Sequence, residues 1–199
     1  MNWTKEIFDR SLALVGLLGT APIFLGVCMG IRVFMGPPVL YRSIRIGRCG
    51  RPFCMVKFRT MEHDADQHAQ GSVTVFGDSR VTYLGRALRR FKLDELPELW
   101  NVLVGDMSFV GPRPDVAGYA DRLQGSDREV LRLKPGITGP ATLKYANEEQ
   151  LLAVVEDPKR YNDDVIFPDK VRINLEYMRR WSLMTDIRII LQSVFRRNY

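Results

Sequence analysis

Cysteine, histidine and low-complexity sequence are scarce in this chain, and each scarcity removes a class of protein. Only Cys28, Cys49 and Cys54 occur in 199 residues. An odd number without a disulfide-like framework points to a reducing compartment rather than a disulfide-stapled secreted domain. Cys49 and Cys54 have the wrong spacing for a zinc pair, and His63 and His68 complete no metal pattern, so no structural metal is expected from these residues. Aromatic residues interleaved with basic ones, as stacking on single-stranded nucleic acid requires, are not evident. No internal repeat or low-complexity stretch is present. With 46% hydrophobic and 26% charged residues, the chain has the makings of one packed domain and not of a disordered segment.

What is present begins with charge. Lys and Arg number 29 against 23 Asp and Glu, a net charge of +6, with a pI near 9.4. The excess suits an anionic partner, and the abundance of Arg favours phosphate clamps, because its planar fork binds oxyanions bidentately. Residues 11–31 carry no charge at all. About 20 apolar residues suffice for a helix to span a bilayer. No small-residue cleavage site follows, so a signal peptide is a poor reading. Pro22 stands near the middle of the run, among Gly16, Gly19, Gly26 and Gly30. It deletes a backbone donor and predicts a kink, where the Thr20 hydroxyl could serve a freed backbone group. Lys5 and Arg10 precede the run, and Arg32, Arg42, Arg45, Arg48 and Arg51 follow it. Basic flanks on both sides fit a helix that returns to its face of entry, while a kinked spanning helix is equally compatible.

Beyond Gly36-Pro37-Pro38 the pattern changes. Residues 39–41 and 52–58 read as short strands across the turn-rich 47–50. Residues 62–80 read as a polar loop or a poorly buried helix. Leu84, Ala87, Leu88 and Phe91 fall at helical spacing, and Leu96, Leu99, Trp100 and Leu103 repeat it from a new start. Helices are also predicted over 116–133, 148–156 and 169–180. Near the end, Ile187, Ile190, Leu191, Val194 and Phe195 form an apolar stripe flanked by Arg179, Arg180, Arg188, Arg196 and Arg197. Such a helix can lie on an anionic membrane or pack as a core helix with a solvated face.

The densest chemistry is Lys92-Leu93-Asp94-Glu95-Leu96-Pro97-Glu98. A helix starting near Asp94 would put Pro97 in its first turn, where proline is tolerated, and both carboxylates at the dipole's positive end. Adjacent carboxylates can divide catalytic work, one attacking or holding a metal and the other handling a proton or a second substrate. An acidic first turn that merely stabilises a helix is the plain alternative. Lys57, Arg59, Arg86, Arg89, Arg90 and Lys92 crowd cations into the same region of sequence. Arg113 lies between two prolines in Gly111-Pro112-Arg113-Pro114, which pre-orders it as a phosphate clamp or as a brace for a helix carbonyl. Lys134-Pro135-Gly136-Ile137-Thr138-Gly139 reads first as a chain reversal and second as a ligand-approaching turn.

The segments KFRTM (57–61), LDELPELWNVLVGDMSFVGPRP (93–114) and KPGITG (134–139), in this order and spacing and with the proline-broken N-terminus, resemble the bacterial sugar transferase family, the monotopic phosphoglycosyl transferases. The likeness covers nearly the whole chain, in the short form limited to a catalytic core. It implies an α/β, mostly helical fold: a re-entrant N-terminal membrane helix-break-helix over 1–38, and a small cytoplasmic catalytic domain over 39–199 with amphipathic interfacial helices. It further implies transfer of a sugar-1-phosphate from a UDP-sugar to polyprenyl (undecaprenyl) phosphate with release of UMP, the first membrane step of bacterial glycoconjugate or exopolysaccharide synthesis. Asp94 would carry the phosphosugar covalently and Glu95 would assist. Asp94 is also the candidate ligand for Mg²⁺, which offsets charge on a diphosphate. Arg113, Lys57, Arg59 and Arg89 are the candidate phosphate-binding residues, and Pro22 is the membrane break. The expected setting is the cytoplasmic face of a bacterial inner (plasma) membrane. The expected partners are the nucleotide sugar, the polyprenyl phosphate and membrane phospholipid, with no nucleic acid; a homodimer is compatible with the chain.

Two positions depart from the family pattern. Ala21 stands where a serine is common before the membrane proline, and Pro140-Ala141-Thr142 replaces the usual continuation after KPGITG. The competing reading is a non-enzymatic, membrane-tethered basic module that binds anionic lipid or nucleic acid.

Overall fold

A computed structural model describes residues 3–62 and 79–195. The polar stretch predicted as loop or helix falls largely on residues 63–78, outside the described residues, as do Arg196 and Arg197. The described chain is mostly helical, with two small sheets.

Helix α1 runs from Trp3 to Phe34, 32 residues, through Pro22 without interruption of its helical conformation. The proline removes the donor that the Leu18 carbonyl would use. The Thr20 hydroxyl donates instead to the Gly16 carbonyl, 2.7 Å away, so it does not serve the group that the proline frees. One stripe of α1 packs on the rest of the protein. Lys5, Asp9, Ala13 and Ile31 are buried, Gly16 abuts Leu99, and the Phe24 ring lies 4.7 Å from that of Phe58. These positions recur at three- and four-residue steps, which is one helix face. The outer face, with Trp3, Ile7, Val15, Leu18, Leu25, Met29 and Val33, is exposed and apolar.

Strands β1 (Leu40–Ile46) and β2 (Pro52–Phe58) form the predicted hairpin, longer than expected in its first arm, in antiparallel register from Leu40 opposite Phe58 to Ile46 opposite Pro52. Helix α2 (Tyr83–Arg90) follows, capped by the Thr82 hydroxyl, which accepts from the Gly85 amide. A side chain at Gly85 would collide with the Thr60 carbonyl, so glycine alone lets α2 lie against the end of β2.

Helix α3 (Glu98–Val104) packs against α1 and is tied to β2 by Asn101. The Asn101 amide donates to the Cys54 carbonyl (2.7 Å) and accepts from the Val56 amide (3.1 Å). Strands β3 (Ser108–Val110) and β4 (Gly136–Thr138) pair in parallel. Their crossover contains the 3₁₀ turns Ala120–Arg122 and Gly125–Arg132 rather than the α-helix predicted over 116–133. Its few apolar residues, Ala120, Val130 and Leu131, are satisfied by packing on Val171 and Leu175, so a full helical face is not needed.

Short helices α4 (Pro140–Lys144), α5 (Glu148–Ala153) and α6 (Pro158–Tyr161) lead through a π-turn (Asn162–Ile166) into α7 (Phe167–Arg179). Helix α8 (Leu183–Phe195) closes the described chain. Its Ile189 is buried, while Leu191, Val194 and Phe195 face outward. The core is a set of apolar clusters rather than one layer. Ala13 of α1 joins Met55, Val102 and Met107, and Ile31 joins Phe58 and Leu88. Helix α1 is thereby built into the domain at both ends.

Candidate active site

The carboxylates of Asp94 and Glu95 do not lie in the first turn of α3, as the position of Pro97 suggested. They occupy a separate 3₁₀ turn, Leu93–Glu95, and α3 starts only at Glu98 with Pro97 as its cap. Lys92 enters this turn in the left-handed conformation (φ 57°), uncommon for a residue with a side chain. The tight turn lets Asp94 and Glu95 face into the protein beside the end of β2.

Lys57 comes from β2. Its ammonium lies 3.0 Å from Glu95 Oε1 and 3.0 Å from Glu98 Oε1. Arg113 reaches the same Glu95 oxygen at 3.3 Å. The loop that carries Arg113 is held by the KPGITG segment, which is a strand and its flanks rather than a plain reversal. The Gly111 amide donates to the Thr138 carbonyl (2.9 Å), and the Gly136 amide to the Pro112 carbonyl (2.7 Å). A Cβ at Gly111, Gly136 or Gly139 would strike the opposing backbone. The glycines of the two motifs therefore interlock main chain to main chain, which sets the place of Arg113. Lys134 of the same segment points elsewhere and pairs with Glu6 of α1 at 2.9 Å.

The remaining candidates divide. Arg89 donates from Nε to the Thr60 hydroxyl (3.0 Å) and is close enough to act on the Asp94 charge. Arg59 is turned away from the carboxylates. It is buried, and its guanidinium donates to the carbonyls of Met35, Gly36 and Pro37, closing the end of α1. In this geometry it is a clamp on the α1–β1 connection, not a member of the carboxylate cluster. Pro22 lies on α1, remote from these groups in sequence and exposed.

Burial governs the electrostatics. It pushes the Asp94 carboxyl above the usual carboxylate range, aided by the neighbouring Glu95 charge and opposed by Lys57, Arg89 and Lys92. Glu95 also bears the penalty of burial, but Arg113 and Lys57 overcome it and hold that carboxyl well below its usual range. Burial raises Glu98, against the pull of Lys57. The pairing differs in the same way. Glu95 is gripped by two cations, whereas Asp94 Oδ1 is buried with no hydrogen-bond partner. Buried acceptors are seldom left so, and an unpartnered carboxylate oxygen on whose charge Lys57, Arg89 and Lys92 act has the chemistry that a nucleophile or a cation ligand needs.

Among the described residues no group of three or more His, Cys, Asp or Glu side chains converges as a metal cage. One unpaired carboxylate oxygen nevertheless fits Mg²⁺, which is usually held by one or two carboxylates together with substrate phosphate. Glu98 is the site residue that sequence reasoning missed. Its signal was present, since a residue three places after Glu95 in a helical turn returns to the same side.

The bacterial sugar transferase family matches residues 1–197 of this chain. Over 196 residues the chain is 35% identical to the UDP-glucose:undecaprenyl-phosphate glucose-1-phosphate transferase of Xanthomonas campestris pv. campestris, covering 96% of this chain and 38% of that protein. It is 32% identical to the uncharacterized sugar transferase EpsL of Bacillus subtilis, covering 96% of this chain and 85% of that one. It is 30% identical to the exopolysaccharide production protein ExoY of Sinorhizobium fredii, with 96% and 84% covered. The chain thus spans well under half of the first relative and most of the other two.

Proposed function

Because the chain belongs to the bacterial sugar transferase family, we propose that it moves a sugar-1-phosphate from a UDP-sugar to a polyprenyl phosphate at a membrane surface, releasing UMP. The observation that carries this reading is the division between two adjacent carboxylates. Glu95 is neutralised by Lys57 and Arg113, while Asp94 keeps an unpaired buried oxygen. The Asp94 oxygen attacks the phosphorus attached to the sugar. The bond from that phosphorus to the oxygen shared with UMP breaks, and UMP leaves with the electron pair. A phosphate oxygen of the polyprenyl phosphate then attacks the phosphosugar on Asp94 and restores the carboxylate, forming a polyprenyl diphosphate sugar. Splitting one displacement into two easier ones is what a covalent nucleophile contributes. Lys57, Arg113 and Arg89 orient the anionic phosphates. Mg²⁺, with Asp94 as protein ligand, would neutralise diphosphate charge. The relative's name makes UDP-glucose and undecaprenyl phosphate the first substrates to try.

The membrane reading rests on α1. A spanning helix carries its ends to opposite faces, about 30 Å of hydrocarbon apart. Both ends of α1 are instead bonded to the same domain: Lys5 to Asp186 and Glu6 to Lys134 at the start, and the carbonyls of Met35 to Pro37 to Arg59 at the finish. This supports a helix held on one side of the membrane with its apolar outer side in lipid. To dip into one leaflet and leave by the face it entered, it would bend at Pro22, where the bond to the Leu18 carbonyl is missing. Phe91 and Trp100, both exposed, bracket the carboxylates and would set them at the lipid boundary. The cytoplasmic face is where nucleotide sugars are found, so the domain belongs there.

Purified protein incubated with a panel of UDP-sugars and undecaprenyl phosphate should release UMP only when Asp94 is intact. No release with any sugar, or release that survives loss of the Asp94 carboxylate, defeats the proposal. Cysteines placed at Asn2 and Arg42 should both be labelled from the cytoplasm; labelling from opposite sides defeats the re-entrant arrangement alone.

A further inference from the structure

Glu98 has no part in the transfer as written, yet at 3% exposure it is the most deeply buried carboxylate of the site. It stands at the first position of α3, so its side chain is fixed by the helix that Asn101 ties to β2. Lys57 is the group it touches, at the distance that Lys57 also keeps from Glu95. The ammonium is a compact charge on a flexible stem with three donors. Two of those donors are committed to Glu95 and Glu98. Among the described residues no cation makes an ion pair with Asp94, although Lys57 is near enough to lower its proton affinity.

We propose that Glu98 is a positioning residue for the transfer: it draws the Lys57 ammonium away from Asp94, so that the Asp94 oxygen stays unpaired and free to reach phosphorus. A lysine with a single buried partner would swing toward the adjacent carboxylate, because Coulomb attraction is strong where water is excluded. A nucleophile tied up in such an ion pair must first break it. Glu98 holds the ammonium back by accepting its hydrogen bond, which a Gln amide oxygen in the same place also does. The inference rests on the proposed role of Asp94.

Two other roles for Glu98 make different predictions. If it only neutralises buried charge, replacement by Gln is as harmful as replacement by Leu. If it only fills space in the fold, activity per folded molecule does not change. The full chain in detergent should therefore be assayed for UMP release as wild type, Glu98→Gln, Glu98→Leu, Lys57→Met and the Lys57→Met/Glu98→Leu double variant, with Asp94→Asn as control. Positioning predicts that Glu98→Leu lowers kcat roughly ten- to a hundredfold, with KM for the nucleotide sugar and the activity of Glu98→Gln both within about threefold of wild type. The double variant should be no slower than Lys57→Met, since Glu98 acts through Lys57. A Gln variant as slow as Leu, an unchanged Leu variant, or a double variant that falls by the product of its parents overturns the inference. A crystal structure of Glu98→Leu decides independently of turnover. Lys57 Nζ within about 4 Å of the Asp94 carboxylate is expected, and Lys57 still on Glu95 alone overturns it. Wild type without UMP release, or an active Asp94→Asn, defeats the proposed function instead, and the Glu98→Leu structure still decides where Lys57 goes.

Discussion

Two clusters of buried charge sit in this molecule, and they are built in opposite ways. Where α1 meets α8, Asp186 is completely enclosed near the like charge of Asp9, and three side chains serve it. Lys5 pairs with it at 2.6 Å, the Trp181 indole donates at 3.0 Å, and the Tyr177 hydroxyl donates to its other oxygen. Burial and the Asp186 charge push the Tyr177 hydroxyl far up, so it remains a donor. At the head of α3, by contrast, Lys57 and Arg113 converge on Glu95, and the Asp94 oxygen beside it is left bare. A saturated cluster can only hold. One with a missing partner has room for a ligand, and the protein bears the cost of keeping that room open.

Asparagine at Asp94 is the sharpest probe of this contrast. UMP release should fall roughly a thousandfold or more, since no other group stands ready to carry the phosphosugar. Thermal unfolding in the same detergent should be unchanged or slightly later, because a bare buried carboxylate is removed. Unfolding as early as an anchor variant would erase the distinction between the clusters. Alanine at Asp186 should do the reverse. It leaves the buried Lys5 ammonium with Asp9 alone, 3.8 Å away, and takes the acceptor from Tyr177 and Trp181. It should cost about 3–5 kcal/mol of stability, read as loss of the folded fraction on heating, while the material that stays folded still turns over.

Between these extremes lies the backbone lock that sets Arg113. A methyl group at Gly136 meets the Gly111 main chain. Gly136→Ala should cost about 1–3 kcal/mol from overpacking and should also weaken nucleotide-sugar binding, seen as a raised KM. An unchanged KM would mean that Arg113 is placed by its own prolines alone. The smallest effect is expected at Asp115, which follows the clamp loop. Burial raises its carboxyl to about 6, with Lys170 and Arg45 in opposition. That value lies above the unfolded reference of about 3.9. The folded state therefore binds the proton more tightly, and stability falls as pH rises from about 4 to about 6. Asp115→Asn should flatten that decline and gain about 1 kcal/mol at pH 7. A denaturant midpoint with the wild-type slope across that range would mean that Asp115 is paired in solution.

Legibility followed the range of the interaction. The hairpin was readable from strand-like runs on either side of the turn-rich 47–50, and α2 from helical spacing, because such local patterns report how a short element turns or which side of it is buried. The reading failed over 116–133, where scattered apolar residues suggested a helix and the chain makes 3₁₀ turns instead. It failed again at Asp94, since a tight turn before α3 leaves no trace in hydrophobic spacing. Arg59 shows a subtler limit. Its place in KFRTM suggested phosphate, but a guanidinium serves three main-chain carbonyls as readily.

The sequence by itself determined the family, the presence of a long apolar helix, and the residue types that could do phosphate chemistry. These depend on composition and local order, which a linear chain carries openly. Only the tertiary structure decided which carboxylate is free and which is bound. That outcome depends on side chains 38 positions apart, as with Lys57 and Glu95, or 181 apart, as with Lys5 and Asp186. Distances of that kind come into being when helices and strands pack, because an ion pair in the interior is selected by the whole surrounding shape and not by its neighbours in the chain.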